Sequence, residues 1–345
     1  MTLLLMEGWD NLNAISDKYT GNFTYATLRA GDGRFGGKCA RIYYTTGTGK
    51  INIPVPSAPQ TVFIGCAVKI TAFSGTTIFP FSFLDSVSQA NVSVGISSTG
   101  ALGFYTTLGV LIGSVSSNTL PANTWCFIEI KIKIADSITT NDCIIKVNGV
   151  EWVNLSSGDT RYGTYQLNVA GIGITWNNID SSNYLYVDDL YVLDGAGSTC
   201  NTFLGDSRID YLSPNGNGTT NNFVGSDSNS TDNYLLVDEL VPDGADYVGS
   251  ATPNDIDLYA LPDLSQVPST VHAVQVENKA VKDVPGQRTY ANLVRSGGTN
   301  YPGATKSVGY PDASFNQNIW ETNPAGGAWD AASLSALEIG VKIIA

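Results

Sequence analysis

In the first two thirds of the chain, apolar residues recur at every second position in short runs. Across residues 61–73, Val62, Ile64, Cys66, Val68 and Ile70 fall on one face, the period of a half-buried β-strand. Residues 127–134 repeat the pattern: Ile128, Ile130, Ile132 and Ile134 point inward, while Glu129, Lys131 and Lys133 face water. One wet face is the mark of an antiparallel sheet. Val92, Val94 and Ile96 predict another strand, and Tyr184 to Leu193 a further one that closes on Asp194-Gly195. Between the strands predicted at 143–147 and 150–154 stands Asn148-Gly149, the pair that supplies positive φ at both centres of a type I′ hairpin turn. The sum is a sandwich of many strands.

Past Asp194 the composition shifts to Gly-Ala-Gly-Ser-Thr, which places a domain boundary near residues 195–203 and divides the chain into 1–198 and 199–345. The second part is richer in Asp, Asn and Pro. Its clearest strands are 271–276 and 338–344, and a short helix capped by Asp330 is predicted over 330–337. Residues 183–190 (Asn-Tyr-Leu-Tyr-Val-Asp-Asp-Leu) and 233–240 (Asn-Tyr-Leu-Leu-Val-Asp-Glu-Leu) agree at six of eight positions. Two copies do not make a solenoid, so convergence on one strand-to-turn solution is expected.

Charge narrows the partners. With 31 acidic and 18 basic residues the formal charge is −13, which repels a phosphate backbone, so nucleic acid is not expected as a partner. No window approaches the roughly 20 apolar residues of a membrane-spanning helix, so no membrane insertion is expected. The opening Met1 to Met6 lacks the basic region and cleavage site of a signal peptide and reads as a first strand. Cys39, Cys66, Cys126, Cys143 and Cys200 contain no CxxC pair and leave an odd one out, so free, buried thiols made in a reducing cytoplasm are expected.

The order of features in residues 1–195 resembles the concanavalin-A-like, laminin-G-like sandwich superfamily. Its carriers are Met6-Glu7-Gly8-Trp9-Asp10, the strand from Val62 to Ile70, the run from Trp125 to Lys131, the hairpin Val147-Asn148-Gly149-Val150, and the closing Val187-Asp188-Asp189-Leu190-Tyr191. The resemblance implies an all-β protein: a jelly-roll sandwich followed by a smaller β-rich domain for docking or oligomerisation. The whole chain, including its closing run from Trp329 to Lys342, is similar to virion structural proteins of tailed bacteriophages. That likeness implies a head- or tail-associated protein folded in the host cytoplasm, with other virion proteins as partners, assembly as a homo-oligomer such as a trimer, and a host surface polysaccharide as the candidate ligand.

Glycosidase relatives in the superfamily carry paired glutamates on one strand. Here Glu129 has Phe127, Lys131 and Lys133 at period two, so a non-enzymatic protein is expected, with Glu129 a solvated sheet residue. His272 is the only histidine and is placed on the polar side of a strand. Trp152, Tyr162, Tyr165 and Trp176 fall in or beside predicted loops and are candidates for stacking on sugar rings, core packing being the competing role. No cofactor is required. Calcium is the one metal to consider, at Asp188 and Asp189 with Asp194, or at Asp238 and Glu239 with Asp243, although adjacent strand residues point to opposite faces. Two other functions remain open: a glycan-degrading enzyme using carboxylates from different strands, and a secreted carbohydrate-binding or adhesion module.

Overall fold

The computed structural model describes residues 2–73, 75–177 and 182–345. The chain forms two compact units, Met1–Asp10 with Ala14–Ile209, and Asn11–Asn13 with Asp210–Ala345. The segment 199–209, which composition groups with the second part, therefore packs with the first.

Among the described residues, fifteen strands build the first unit. They are β1 (Leu3–Glu7), β2 (Thr20–Asn22), β3 (Ala26–Ala30), β4 (Lys38–Tyr43), β5 (Gly49–Pro54), β6 (Thr61–Ile70), β7 (Ile78–Leu84) and β8 (Ala90–Ile96). There follow β9 (Leu102–Thr106), β10 (Leu111–Ile112), β11 (Cys126–Lys133), β12 (Cys143–Val147), β13 (Val150–Leu155), β14 (Gly171–Trp176) and β15 (Tyr184–Leu193). One antiparallel sheet runs β13-β12-β11-β6-β15-β4-β3, with β1 added against β15; the other runs β10-β9-β8-β7-β14-β5-β2. Consecutive strands such as β5, β6 and β7 alternate between sheets, which makes the unit a jelly-roll β-sandwich.

Alternation explains the core. Val62, Ile64, Cys66, Val68 and Ile70 are all buried, as are Ile128, Ile130, Ile132 and Ile134. From the other sheet come Ile51, Ile53, Phe81, Phe83, Val92 and Val94. The β12–β13 turn has φ of 49° at Asn148 and 79° at Gly149, the geometry expected of that dipeptide.

β15 changes partner halfway along. Residues 184–187 pair with β4, and Leu190 to Leu193 pair with β1. Between them the register against β6 slips from Asp188↔Ala67 to Tyr191↔Gly65, and Asp189 takes φ of 50°. This is a β-bulge, which adds a residue and re-aims the side chains around it.

The second unit continues with β16 (Gly216–Asn221), β17 (Val224–Gly225), β18 (Val248–Gly249), β19 (Ile256–Ala260), β20 (Val274–Ala280), β21 (Thr289–Ser296), β22 (Thr299–Pro302), β23 (Lys306–Ser307), β24 (Ser314–Trp320) and β25 (Glu338–Ile343). Its main sheet is β16-β19-β25-β21-β22 with β23 on β21, beside the pairs β17-β18 and β20-β24. Val276, Val294, Trp329 and Leu337 form its core. The predicted helix is a short one, Ala331–Ser335, capped by Asp330, whose carboxylate accepts the Ser333 N–H. The sequence echo does not repeat in structure: 184–193 is a strand, whereas Asn233–Leu236 is a 3-10 turn. Asn233 is drawn inward there because its amide donates to the buried carboxylate of Asp257 at 2.7 Å.

Candidate functional site

The outward positions of the β1-containing sheet carry the chemistry. Thr27, Arg41, Tyr186 and Lys69 are successive cross-strand partners on β3, β4, β15 and β6. Trp125 extends this row, because the next residue, Cys126, pairs with Val68. Two residues along, Tyr43 pairs with Tyr184, and Tyr25 lies edge-on to Tyr43 at 5.9 Å. The inward neighbours Ile42, Val68, Leu185 and Val187 are buried, so period two sends the rings and cations outward.

The rings form a continuous series: Tyr43–Tyr184 at 6.2 Å, Tyr184–Tyr186 at 6.3 Å and Tyr186–Trp125 at 6.5 Å. Two cations are set among them. The Arg41 guanidinium lies 5.0 Å from both Tyr43 and Tyr184, and the Lys69 ammonium lies 4.5 Å from Tyr186 and 5.0 Å from Trp125. Such contacts hold both partners in a fixed orientation. Among the described residues neither cation has a carboxylate within ion-pair distance. Arg41 Nε is buried without a hydrogen-bond partner. All five rings and both cations are half-buried, leaving a ring-and-cation face open to solvent.

The other half of this face is covered by residues 203–209. Phe203 packs edge-on to Phe63 at 5.2 Å, with the Lys146 ammonium 4.4 Å from its ring. The Tyr191 hydroxyl donates to Glu129 Oε1 at 2.6 Å and accepts the Leu204 N–H at 3.1 Å. Gly205 N–H reaches the same Glu129 oxygen at 2.8 Å. Glu129 is thus 1% exposed; the expectation of a solvated residue fails because the covering segment and Tyr191 satisfy it. Tyr191 reaches across β6 only because residue 65 is glycine: a Cβ there would sit 2.2 Å from the tyrosine ring.

Beside this lies a buried charge group made by the bulge. Asp188 accepts the Arg34 and Asp189 N–H groups at 2.8 and 2.9 Å, while Asp189 accepts the Ile209 N–H at 2.9 Å and faces the Arg34 guanidinium at 3.5 Å. Arg34 also pairs with Asp206 at 2.6 Å. Burial, then the adjacent charge of Asp189, pushes Asp188 up to about 7. Burial likewise raises Asp189 to about 6, against the pull of the Ile209 N–H and Arg34.

These shifts have a sign. A carboxylate whose folded pKa exceeds its unfolded value of about 3.9 binds more protons when folded, so its contribution is full below pH 4 and is lost as pH rises through the folded pKa. Asp188→Asn removes that titration. Between pH 4 and pH 8 the stability difference is expected to move in the variant's favour by about 3–4 kcal/mol, or roughly 6–16 °C of Tm. Thermal denaturation of both proteins across this range checks it, and a difference that does not change with pH would contradict it.

The other predicted site residues disperse. Trp176 is fully buried, and its indole N–H donates to the Asn183 carbonyl at 2.9 Å. It is a core residue rather than a sugar-facing one, since it continues the inward series Ile172, Ile174. Trp152 is half-buried on the edge strand β13. Tyr162 and Tyr165 pack together at 5.2 Å in the loop before β14, and among the described residues no ring contact joins them to Trp152. Asp194 accepts the Ala196 N–H in the turn after β15, about 16 Å along the strand from Asp189 by strand rise. No group of three metal-ligating side chains occurs among the described residues, so the calcium set Asp188, Asp189 and Asp194 is not assembled. His272 precedes β20 instead of lying on it.

Cys39, Cys66, Cys126 and Cys143 are free and buried, and Cys200 is half-buried. Burial raises Cys39 and Cys143 to about 12 and Cys66 higher still, which keeps them protonated and unreactive.

No family model matches the sequence, and no curated protein matches it. Among solved structures 194 chains match. One is a sialidase, 9% identical, with a TM-score of 0.38 over 55% of this chain; the match spans 18% of the sialidase's length. Another is the catalytic domain of a glycoside hydrolase family 131 protein from Coprinopsis cinerea, 13% identical, TM-score 0.39, covering 60% of this chain and 99% of that one. A third is a Bacillus subtilis protein of unknown function with a galectin-like fold, 10% identical, TM-score 0.37, covering 56% of this chain and 96% of that one.

Proposed function

We propose that this chain is a non-enzymatic, glycan-binding structural protein of a tailed-bacteriophage virion, with the sandwich meeting the host surface and the second unit docking to other virion proteins or to further copies of the chain. The observation that carries the binding role is the open face of Tyr25, Tyr43, Tyr184, Tyr186 and Trp125, whose rings are oriented by Arg41 and Lys69. Rings fixed in advance lose little freedom when a sugar stacks on them. The virion setting rests on the resemblance of the whole sequence. Repeated copies in a homo-oligomer such as a trimer would turn weak contacts at each copy into firm attachment.

The setting is tested by labelling phage particles from the source lysate with antibodies against the purified protein and imaging them by electron microscopy. Label at symmetry-related positions is expected; particles that never label would overturn the virion role.

The alternative is a glycan-degrading enzyme. Glu129 and Asp189 each accept an N–H from the covering segment, and Asp188 accepts the Arg34 N–H, so every one of these carboxylates already has hydrogen-bond partners. Release of reducing ends from a bacterial surface polysaccharide, abolished by Glu129→Gln, would favour this reading.

A further inference from the structure

Resting on the glycan-binding reading, we infer that the open face selects an acidic polysaccharide: a chain of sugar rings bearing carboxylates that lies across β4, β15 and β6, with its rings on Tyr43, Tyr184, Tyr186 and Trp125 and its carboxylates on Arg41 and Lys69.

Three features of the face argue for this ligand. The first is pairing. In a chain with 31 acidic and 18 basic residues, Arg41 and Lys69 nevertheless have no acidic partner among the described residues. The nearby Asp32 is taken by Arg29 at 3.1 Å. The Arg41 guanidinium meets neutral groups, a long contact to Thr27 Oγ1 at 3.5 Å and the Tyr186 side chain, and its buried Nε is unsatisfied. A planar fork of this kind matches a carboxylate.

The second is spacing. Thr27, Arg41, Tyr186, Lys69 and Trp125 form one row across five neighbouring chain segments. At about 4.8 Å per strand, Arg41 and Lys69 stand roughly 10 Å apart with Tyr186 between them. The face therefore offers cation, ring, cation, ring in sequence, which suits a polymer with repeated rings and charges better than a single small anion.

The third is composition. The rings are interleaved with cations, so the face lacks the continuous apolar centre expected of a protein interface. The net charge does not prevent binding: beyond about 8 Å it is screened at physiological salt, whereas Arg41 and Lys69 act at contact distance.

The test is biolayer interferometry of the full chain against three immobilised polymers: polygalacturonate, the same polymer after carboxyl reduction to neutral galactan, and poly-L-glutamate, which has carboxylates but no sugar rings. Polygalacturonate is expected to bind at least tenfold tighter than either control and to weaken as salt rises. Tyr186→Ala and Trp125→Ala should each reduce that binding at least tenfold. The double variant Arg41→Gln/Lys69→Gln should bind polygalacturonate and the neutral polymer alike. All are substitutions at half-buried outward positions, and circular dichroism verifies that the variants are folded. Equal wild-type binding to the neutral polymer would overturn the acidic preference but keep the glycan role. Equal binding to polyglutamate would reduce the face to a charge patch. Acidic binding untouched by the Tyr186 and Trp125 variants would place the site elsewhere. Failure to bind any glycan, in this assay and on a panel of host-surface polysaccharides, would overturn the glycan reading as well.

Discussion

Replacing Glu7 by alanine is expected to destabilise the protein by about 3–5 kcal/mol, a fall of roughly 6–20 °C in Tm. Glu7 ends β1 and is fully buried. It accepts the Trp9 N–H and the Lys18 ammonium at 2.8 Å each, and the Tyr19 hydroxyl at 2.6 Å. The side chain of Lys18 is only 10% exposed, so removing the carboxylate takes from a largely buried ammonium the opposite charge it meets at 2.8 Å. Burial by itself would raise the Glu7 pKa, but the charge of Lys18 and the hydrogen bonds of Lys18, Tyr19 and Trp9 together hold it below the usual glutamate value. A lowered pKa contributes stability that is present above the unfolded pKa and is lost as pH falls through the folded one. The pair thus opposes the Asp188 trend, and the two separate by variant. Glu7→Leu/Lys18→Met should recover much of the loss, because apolar replacement of both partners removes the desolvation cost along with the attraction. Chemical denaturation of the three proteins checks this; a Glu7→Ala cost below about 1 kcal/mol would mean the pair behaves as a solvated surface ion pair.

Gly65→Val is expected to be the second most damaging change, costing about 3 kcal/mol and releasing the segment 203–209. Valine suits a central strand, so propensity is not the cause. The clash is: the new Cβ would lie 2.2–2.7 Å from Tyr191 ring and hydroxyl atoms. Tyr191 must then leave Glu129 and the Leu204 N–H, and the buried carboxylate loses one of its two partners. Limited proteolysis should cut at 199–209 in the variant and not in the wild type. Gly173→Val is the control, since its Cβ would meet Lys50 Cε at 3.4 Å and Ser82 Cβ at 3.8 Å, ordinary contacts that leave the segment protected.

The sandwich was legible because apolar residues recur on one face of its strands: period two in 62–70 and 128–134 assigns the inward positions without knowledge of the partners, although the covering segment then buries part of the opposite face as well. The same rule would have buried Trp176, which follows Ile172 and Ile174 at that period. Proximity to a loop suggested otherwise, and loop position is a weaker signal than alternation. The ring-and-cation face could not be read as a unit. Its members come from six places, residues 25, 41–43, 69, 125, 184 and 186, and only strand register brings them together. The available trace is that outward Arg41, Tyr43, Lys69, Tyr184 and Tyr186 alternate with apolar neighbours where Ser, Thr or Asn would serve solubility alone.

Asp188 and Asp189 failed for the opposite reason. Strict alternation sends them to opposite faces, but β15 exchanges β4 for β1 at this point, and the bulge at Asp189 turns both carboxylates toward the Arg34 region. A partner exchange depends on residues far along the chain and leaves no local pattern. The paired segments 183–190 and 233–240 teach the same lesson: six identities in eight gave a strand where β4 and β6 flank it and a turn where Asp257 captures Asn233.

The most direct measurement of the binding role is a crystal structure of the full chain soaked with an oligogalacturonate. Sugar rings are expected to stack along Trp125, Tyr186 and Tyr184, with carboxylates at Lys69 and Arg41 and the segment 203–209 in place. Sugar bound instead at Trp152 or at the Tyr162–Tyr165 loop, or beneath a displaced 203–209 segment against Glu129, would contradict it.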